Sequence, residues 1–306
     1  MKKVFVDGQE GTTGLQIREK LLARKDAQLL EIEPELRKDP ARRAELLNSA
    51  DVVFLCLPDD AAKESASLAT NPSTIVIDTS TAHRTDDAWA YGLPELSPEH
   101  REKIKNSKRI ANPGCHSTGF LLAIYPLIAK GIMKADENLV CYSLTGYSGG
   151  GKKMIADYKE NLSKVKFESE SVLASKPYAL GLCHKHLPEM QKIANLAKPP
   201  LFNPVLGPYS QGMAVTVGLF PSMLSGMSFD DLRKFLSDYY KDSEFASVAA
   251  ASENPAILDP TICNGTNNAK IFVFGNQEHG QITVVLDNLG KGASGAAMQN
   301  MDLAVL

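Results

Sequence analysis

A short strand, a glycine-punctuated turn and a helix open this chain, and that unit narrows the possible folds more than any other feature. Residues 2–6 read as a buried strand, Gly8, Gly11 and Gly14 mark the turn, and Leu15, Ile17, Leu21 and Leu22 carry helical spacing over 15–23. The alternation continues, with strands expected over 28–32, 51–57 and 74–77 and a charged helical stretch over 39–48. Repeated strand and helix alternation implies a mostly parallel sheet whose ligands sit beyond the carboxyl ends of its strands. Glycines at this place let backbone N–H groups approach a pyrophosphate at the helix N-terminus. Gly8, Gly11, Thr12, Thr13 and Gly14 are therefore candidate dinucleotide contacts, the threonines adding hydroxyls. The spacing is G-x-x-G-x-x-G rather than G-x-G-x-x-G, and helix packing is the other use of such a turn. Past the second strand, Glu31 and Glu33 stand where an NAD site places an acid. Arg37, Lys38, Arg42 and Arg43 follow; they could meet a 2′-phosphate or form a solvated helix face.

The second punctuation is Asn112-Pro113-Gly114-Cys115-His116-Ser117-Thr118-Gly119, followed by an apolar run over 120–128 of near-helical length. Cysteine here opens a helix, where the dipole and free N–H groups favour the thiolate, and Cys115 is the candidate nucleophile. Cys56, Cys141 and Cys263 read instead as small buried hydrophobes. Beyond the helix the character changes, with longer antiparallel-type strands over 139–145, 213–220, 270–274 and 281–286. The fold class expected is α/β: a Rossmann-type, mostly parallel sheet domain, joined to an α+β domain with a mixed or antiparallel sheet. Residues 146–151 read as a flexible glycine-rich junction and 287–295 as a loop entering a final helix.

At 306 residues and 43% hydrophobic, the chain has material for two packed domains. A net charge of -3 with scattered Lys and Arg gives no footprint for nucleic acid. The first apolar run is too short for a signal peptide, and nothing approaches a membrane span. Five cysteines, odd in number and without framework spacing, point to a reducing, cytoplasmic compartment.

Two further clusters could carry chemistry. His184 and His186, in His184-Lys185-His186, supply imidazoles that titrate near neutral pH and suit acid/base work beside a thiolate. A zinc pair with Cys183 is the alternative, but further ligands at recognisable spacing are absent, so no metal is expected. Ser80 and Arg84 follow the fourth strand, where a guanidinium suits a phosphate or carboxylate and a surface ion pair is the plainer reading.

Taken together these segments resemble the shorter type of N-acetyl-gamma-glutamyl-phosphate reductase, within the aspartate-semialdehyde dehydrogenase-like superfamily, over nearly the whole chain. The residues that carry the resemblance are Gly8 to Gly14, Tyr91-Gly92-Leu93-Pro94-Glu95, Asn112 to Gly119, Thr145-Gly146-Tyr147-Ser148-Gly149-Gly150-Gly151, His184-Lys185-His186-Leu187-Pro188-Glu189, and Asp287-Asn288-Leu289 with Lys291-Gly292-Ala293. The resemblance implies an NADP-binding domain over 1–114 with 288–306, and a catalytic and oligomerisation domain over 115–287. It implies NADPH-dependent reduction of an acyl phosphate to an aldehyde through a Cys115 thioester, in arginine biosynthesis. His186, or else His184, would be the acid/base, Arg84 a phosphate contact, and Ser148 and Gly149 near the substrate. Asn288, Lys291 and Gly292 would return to the nicotinamide side, and the chain would form a homo-oligomer, dimer or tetramer. Gln211-Gly212 departs from an expected Arg-Gly. The competing readings are an aspartate-semialdehyde dehydrogenase, which would share the nucleophile and the glycine loop; a thiol acyltransferase or hydrolase without nucleotide; and a nucleotide-binding regulator without chemistry.

Overall fold

Short apolar runs bounded by polar turns build six parallel strands in the first unit: β1 (Lys2–Asp7), β2 (Ala27–Leu30), β3 (Val52–Leu55), β4 (Ile75–Asp78), β5 (Ala90–Tyr91) and β6 (Arg109–Ala111). They lie in the order β2-β1-β3-β4-β6-β5. The computed structural model describes residues 1–163 and 173–305; residues 164–172 and Leu306, which fall within the expected domain spans, lie outside the described residues. β3 and β4 are buried at every position, so β3 and the first three residues of β4, before the buried Asp78, read as continuous apolar runs rather than as alternation. Alternate residues feed two cores: Val4, Val6, Val52, Phe54 and Ile77 meet Ile17 and Met301, while Phe5, Val53, Leu55 and Val76 meet Leu47 and Trp89.

The helices of this unit are α1 (Thr12–Leu22), α2 (Pro40–Ser49), α3 (Asp59–Leu68), α4 (Pro98–Lys105) and a closing helix, Gly295–Val305. Asp39 caps α2 and Ser97 caps α4, each followed by proline, whose fixed φ suits a first turn. One carboxylate ties the carboxyl end of β1 to two helices. Asp7 Oδ2 accepts from Arg43 Nη2 at 2.9 Å, Arg43 Nε at 3.2 Å and Ser65 Oγ at 2.6 Å, all three residues being buried. Arg43 is thus a structural cation, which removes it from the candidates for a 2′-phosphate.

The second unit is built on seven strands: β7 (Val140–Gly146), β8 (Lys176–Pro177), β9 (Leu201–Gly207), β10 (Met213–Leu219), β11 (Ala246–Val248), β12 (Ala269–Gly275) and β13 (Gly280–Leu286). Their order is β11-β12-β13-β10-β7-β9-β8. The sheet is mixed: the central neighbours are antiparallel, while β7 with β9 and β11 with β12 run parallel. β9 is not among the strands expected from sequence; Pro204, which has no N–H to donate, interrupts its pattern.

Helices α5 (Cys115–Ala129), α6 (Gly151–Ser163), α7 (Leu187–Ile193) and α8 (Phe229–Tyr240) complete this unit. α5 is buried along nearly its whole length. It sits tight against β10, since a Cβ at Gly119 would come 2.4 Å from Val215 Cγ2. The glycine run after β7 is no flexible junction. Tyr147–Gly150 is a single 3-10 turn with Tyr147 and Ser148 buried, and their N–H groups donate to the Tyr209 and Ser210 carbonyls at 2.9 and 3.0 Å.

The chain divides into these two units at Gly114 and again at Ala293, rather than at the expected 288, so 288–292 belong with the second unit. Replacing Arg43 by Ala leaves the Asp7 carboxylate buried without its cation. We expect a loss of about 3 to 5 kcal/mol in urea unfolding, with Arg43→Lys keeping part of it.

Candidate functional site

In the second unit the reacting groups gather at the start of α5. Cys115 is its first residue and stays partly exposed, while His116, Ser117 and Thr118 behind it are buried. Gly292 lies directly against the nucleophile candidate, for a Cβ there would be 2.6 Å from Cys115 Cβ. Ser117 Oγ is buried and has no hydrogen-bond partner among the described residues. Of the other cysteines, Cys141 and Cys263 are buried, and burial raises the pKa of both thiols. Cys56 is only partly buried by exposed area, yet it sits at the end of β3, where desolvation pushes its thiol up to about 12.

Three imidazoles pack together. His116 lies 5.5 Å, centre to centre, from both His184 and His186, which are 4.7 Å from each other, with Phe202 against His116 and His184. His186 is the buried N-cap residue of α7, and its backbone N–H donates to His184 Nδ1 at 3.2 Å. That bond makes His184 Nδ1 an acceptor, and burial lowers the pKa of its imidazole to about 4. His116 is pushed down to about 3, mainly by burial and also by the neighbouring His184. Its two nitrogens meet Ser143 Oγ at 2.7 Å and Tyr178 Oη at 2.8 Å. Cys183, the third member of the zinc alternative, is exposed.

Residues 287–292 form a second knot in this unit. The buried Asp287 accepts from the N–H groups of Leu289 and Gly265 and from the side chain of Gln211. The Gln211 that departs from the expected Arg is therefore a neutral partner of a buried carboxylate. Asn288 is likewise internal: it accepts from Gly212 N–H at 2.8 Å and donates to Ser148 Oγ at 2.9 Å. Lys291 is fully buried, its Nζ 5.5 Å from the centre of the Phe245 ring, within a π-turn, Gly290–Ser294. Gly149 is exposed on the turn beside Ser148.

In the first unit, the strand order reverses at β1 and β3, the switch point where such sheets bind ligands, and the glycine loop lies there. Gly8 has φ +87°, and a Cβ would lie 2.3 Å from the Cys56 carbonyl oxygen; at Gly14 it would lie 2.5 Å from the Gly8 carbonyl oxygen. Gly11 supplies no side-chain cap to α1, and Thr12 Oγ1 is buried without a partner among the described residues. An uncapped helix N-terminus and an orphaned hydroxyl beside a tight glycine turn fit a phosphate-bearing dinucleotide. Both acids after β2 are already engaged, Glu31 by Arg18 at 2.6 Å and Glu33 by Arg42 at 2.9 Å, while Arg37 meets Glu10 at 3.1 Å.

At the end of β4, Asp78 is fully buried and accepts from Ser80 Oγ at 2.8 Å; its Oδ2 also meets His83 Nδ1 at 2.7 Å, and His83 stacks on Trp89. Arg84 is buried rather than in a surface pair. Its Nε donates to the Asn112 carbonyl at 2.9 Å and its Nη2 to the Thr79 carbonyl at 3.0 Å. The structure thus brings Cys115, His184 and His186 into one unit and sets Ser80, Arg84 and the glycine loop in the other. Sequence reasoning missed His116, Ser143 and Tyr178. His116 was in view beside Cys115, but nothing in a linear pattern links it to a strand serine or to a tyrosine in a loop.

Comparison with known proteins gives two matches along the chain. A family described as semialdehyde dehydrogenase, NAD binding domain, matches residues 4–105, and one described as semialdehyde dehydrogenase, dimerisation domain, matches 115–288. The chain is 45% identical to an N-acetyl-gamma-glutamyl-phosphate reductase of Chelativorans sp., over 98% of this chain and 97% of that one. It is 43% identical to N-acetyl-gamma-glutamyl-phosphate reductase 2 of Pseudomonas putida, over 98% and 96%. Among solved structures it resembles aspartate semialdehyde dehydrogenase II of Vibrio cholerae complexed with ASA, with TM-score 0.74 and 17% identity over 100% and 98% of the two chains. A similar likeness, TM-score 0.69 at 17% identity over 99% and 98%, relates it to the Candida albicans aspartate semialdehyde dehydrogenase with NADP; at that identity both show a shared fold.

The low values of the two histidines fix a pH dependence. Each has a folded pKa below the ordinary 6.5, so the unfolded chain binds the extra proton first as pH falls. Their contribution is present above about 6.5 and is lost on acidification, down to about 4 for His184 and about 3 for His116. Unfolding free energy should therefore decline from pH 6.5 to 4, less steeply in His184→Asn, and NMR should show the His116 ring untitrated across that range.

Proposed function

The chain belongs to the semialdehyde dehydrogenase family, alongside the N-acetyl-gamma-glutamyl-phosphate reductases, and from that premise we propose that it reduces N-acetyl-gamma-glutamyl phosphate to N-acetylglutamate 5-semialdehyde and phosphate, with NADPH, in arginine biosynthesis. The observation that carries this reading is a partly exposed thiol at the first position of a buried helix, followed directly by His116, on whose ring the imidazoles of His184 and His186 pack.

In this mechanism the Cys115 sulfur forms a bond to the γ-carbonyl carbon, the bond from that carbon to the phosphate oxygen breaks, and a thioester remains. His186 takes the thiol proton during attack and gives it to the departing phosphate. His184 is the weaker candidate, since its Nδ1 already accepts a backbone N–H and its pKa is about 4. Backbone N–H groups in the first turn of α5 stabilise the oxyanion. When bound, the dinucleotide supplies a hydride to the thioester carbon. Collapse of the resulting alkoxide breaks the carbon–sulfur bond, frees the aldehyde and returns the thiolate.

Gly8, Gly11, Thr12, Thr13 and Gly14 would hold the pyrophosphate, with Asn288, Lys291 and Gly292 on the nicotinamide side. Asn288 and Lys291 are buried within their own unit, so they act there by shaping the segment around Gly292. Arg84 would contact the substrate phosphate, and Ser80, Ser148 and Gly149 the rest of the substrate. Preference for NADPH is supported by the pairing of Glu31 and Glu33 with arginines, which leaves neither acid poised for a ribose diol. A reducing, cytoplasmic setting agrees with five cysteines that are all free of disulfides. Among the described residues no helix is long and apolar enough to cross a membrane. Homo-oligomerisation is supported by the open face of the second sheet, where Val140, Tyr142 and Leu201 are each nearly half exposed.

The test is phosphate-dependent reduction of NADP⁺, comparing N-acetylglutamate semialdehyde with aspartate semialdehyde. We expect a strong preference for the acetylated aldehyde; activity with neither, despite nucleotide binding, would favour the regulator. Cys115→Ser should abolish turnover while leaving NADPH affinity near wild type, and His186→Asn should lower the rate more than His184→Asn. Exchanging Tyr142 and Leu201 for Lys together should shift the protein toward monomer in sedimentation velocity, and an unchanged assembly would remove this face from the interface.

A further inference from the structure

The described residues of the second unit contain a buried hydroxyl, a buried imidazole and a phenol in a row, and the acid/base chemistry above uses none of them. Ser143 lies on β7, 0% exposed, and its Oγ makes one hydrogen bond, to His116 Nδ1 at 2.7 Å. His116 Nε2 meets Tyr178 Oη at 2.8 Å, which is likewise the one hydrogen bond of that phenol among the described residues. A serine hydroxyl has one hydrogen to donate, and leaving it unsatisfied in a dry interior forfeits the solvation it had in water. Among the described residues the Ser143 hydrogen has one acceptor within reach, His116 Nδ1. Donation there makes Nδ1 the bare nitrogen of a neutral imidazole and puts the ring proton on Nε2. That proton is given to the Tyr178 oxygen, so the phenolic hydrogen points elsewhere.

We infer that Tyr178 is a further hydrogen-bond donor of the Cys115 site, its O–H aimed by a one-way relay from Ser143 through His116 and given to the substrate oxygen on which negative charge develops. This rests on the acyl-phosphate reduction proposed above. His116 and Ser143 are positioning residues that act through Tyr178. Three observations support the placement. His116 follows Cys115 directly in the first turn of α5 and touches His184 and His186. The Tyr178 ring is 5.9 Å from that of His184. Burial, and next the negative charge of a Cys115 thiolate, raise the phenol above its ordinary value, which keeps it protonated and able to donate. The imidazole, pushed down to about 3, stays neutral at working pH, as the relay requires. In the attack step the phenol keeps its proton: the carbon–sulfur bond forms, the carbonyl electron pair moves onto oxygen, and the O–H stabilises it as a hydrogen bond.

Two measurements on the full-length protein test this. In wild type labelled with ¹⁵N-histidine, the His116 ring, assigned by its loss in His116→Asn, should show the Nε2–H tautomer at pH 7; the Nδ1–H tautomer would overturn the relay whether or not any variant folds. In the phosphate-dependent assay with N-acetylglutamate semialdehyde, Tyr178→Phe should lower kcat on the order of 100-fold, with KM and NADP⁺ affinity within about twofold of wild type. Ser143→Ala should lower kcat alone but add little on top of Tyr178→Phe. Wild-type kcat in Tyr178→Phe, or independent, multiplying effects of the two changes, would sink the inference. Failure of the underlying reaction is distinguishable, for the wild type would then turn over no acetylated aldehyde at all.

Discussion

Gly119 lies so close to Val215 that one methyl group would come within 2.4 Å of the valine side chain, and this approach seats α5 on β10. Cys115 stands four residues earlier, one helical turn back on the same stripe, so the seating of the helix sets the height of the thiol above the sheet. Gly292 closes the other side, where a Cβ would meet the Cys115 side chain. Two glycines from distant parts of the chain thus fix the nucleophile by close approach of backbone to side chain. The next residue, His116, is carried by the same seating onto Ser143 and Phe202.

The first unit relies on a different interaction. The Asp7 carboxylate is shielded from water and held by Arg43 and Ser65, so the end of β1 is joined to α2 and α3 immediately before Gly8. A buried carboxylate without its cation is costly, and this makes the geometry of the glycine turn conditional on a residue in α2. The charged stretch that reads as a possible phosphate surface therefore has a divided use: Arg43 faces inward, and Arg42 is bound to Glu33 and Glu45.

Burial also sorts the three imidazoles of the second unit. His116 and His184 are driven toward the neutral form by desolvation, with added pressure from His184 on His116 and from Lys185 on His184. Neutral rings have a fixed donor and a fixed acceptor, so they orient neighbouring hydrogens rather than carry charge. The same desolvation makes the cluster sensitive to acid, because the unfolded chain takes protons that the folded one refuses. Orientation near neutral pH and loss of stability below it have one origin.

What the sequence determined by itself is the set of local elements and their class. The glycine loop after a first strand, the apolar runs of β3 and of β4 up to Asp78, and a cysteine opening an apolar helix all follow from short-range rules of periodicity, turn chemistry and capping. The mixed sheet was legible in its four longest expected strands, but β9, where Pro204 hides a parallel strand, and the short edge strands β8 and β11 were not. The glycine run 146–151 misled, since composition alone does not reveal that Tyr147 and Ser148 bury their side chains and give their N–H groups to residues 209 and 210. Arg84 and Asn288 were visible as candidates, but their partners were not: main-chain carbonyls, Gly212 and Ser148 come from other segments. Tertiary structure alone decided the Ser143, His116 and Tyr178 relay. Hydrogen-bond direction depends on which buried group has one partner left, and that is a property of packing between residues far apart in the chain.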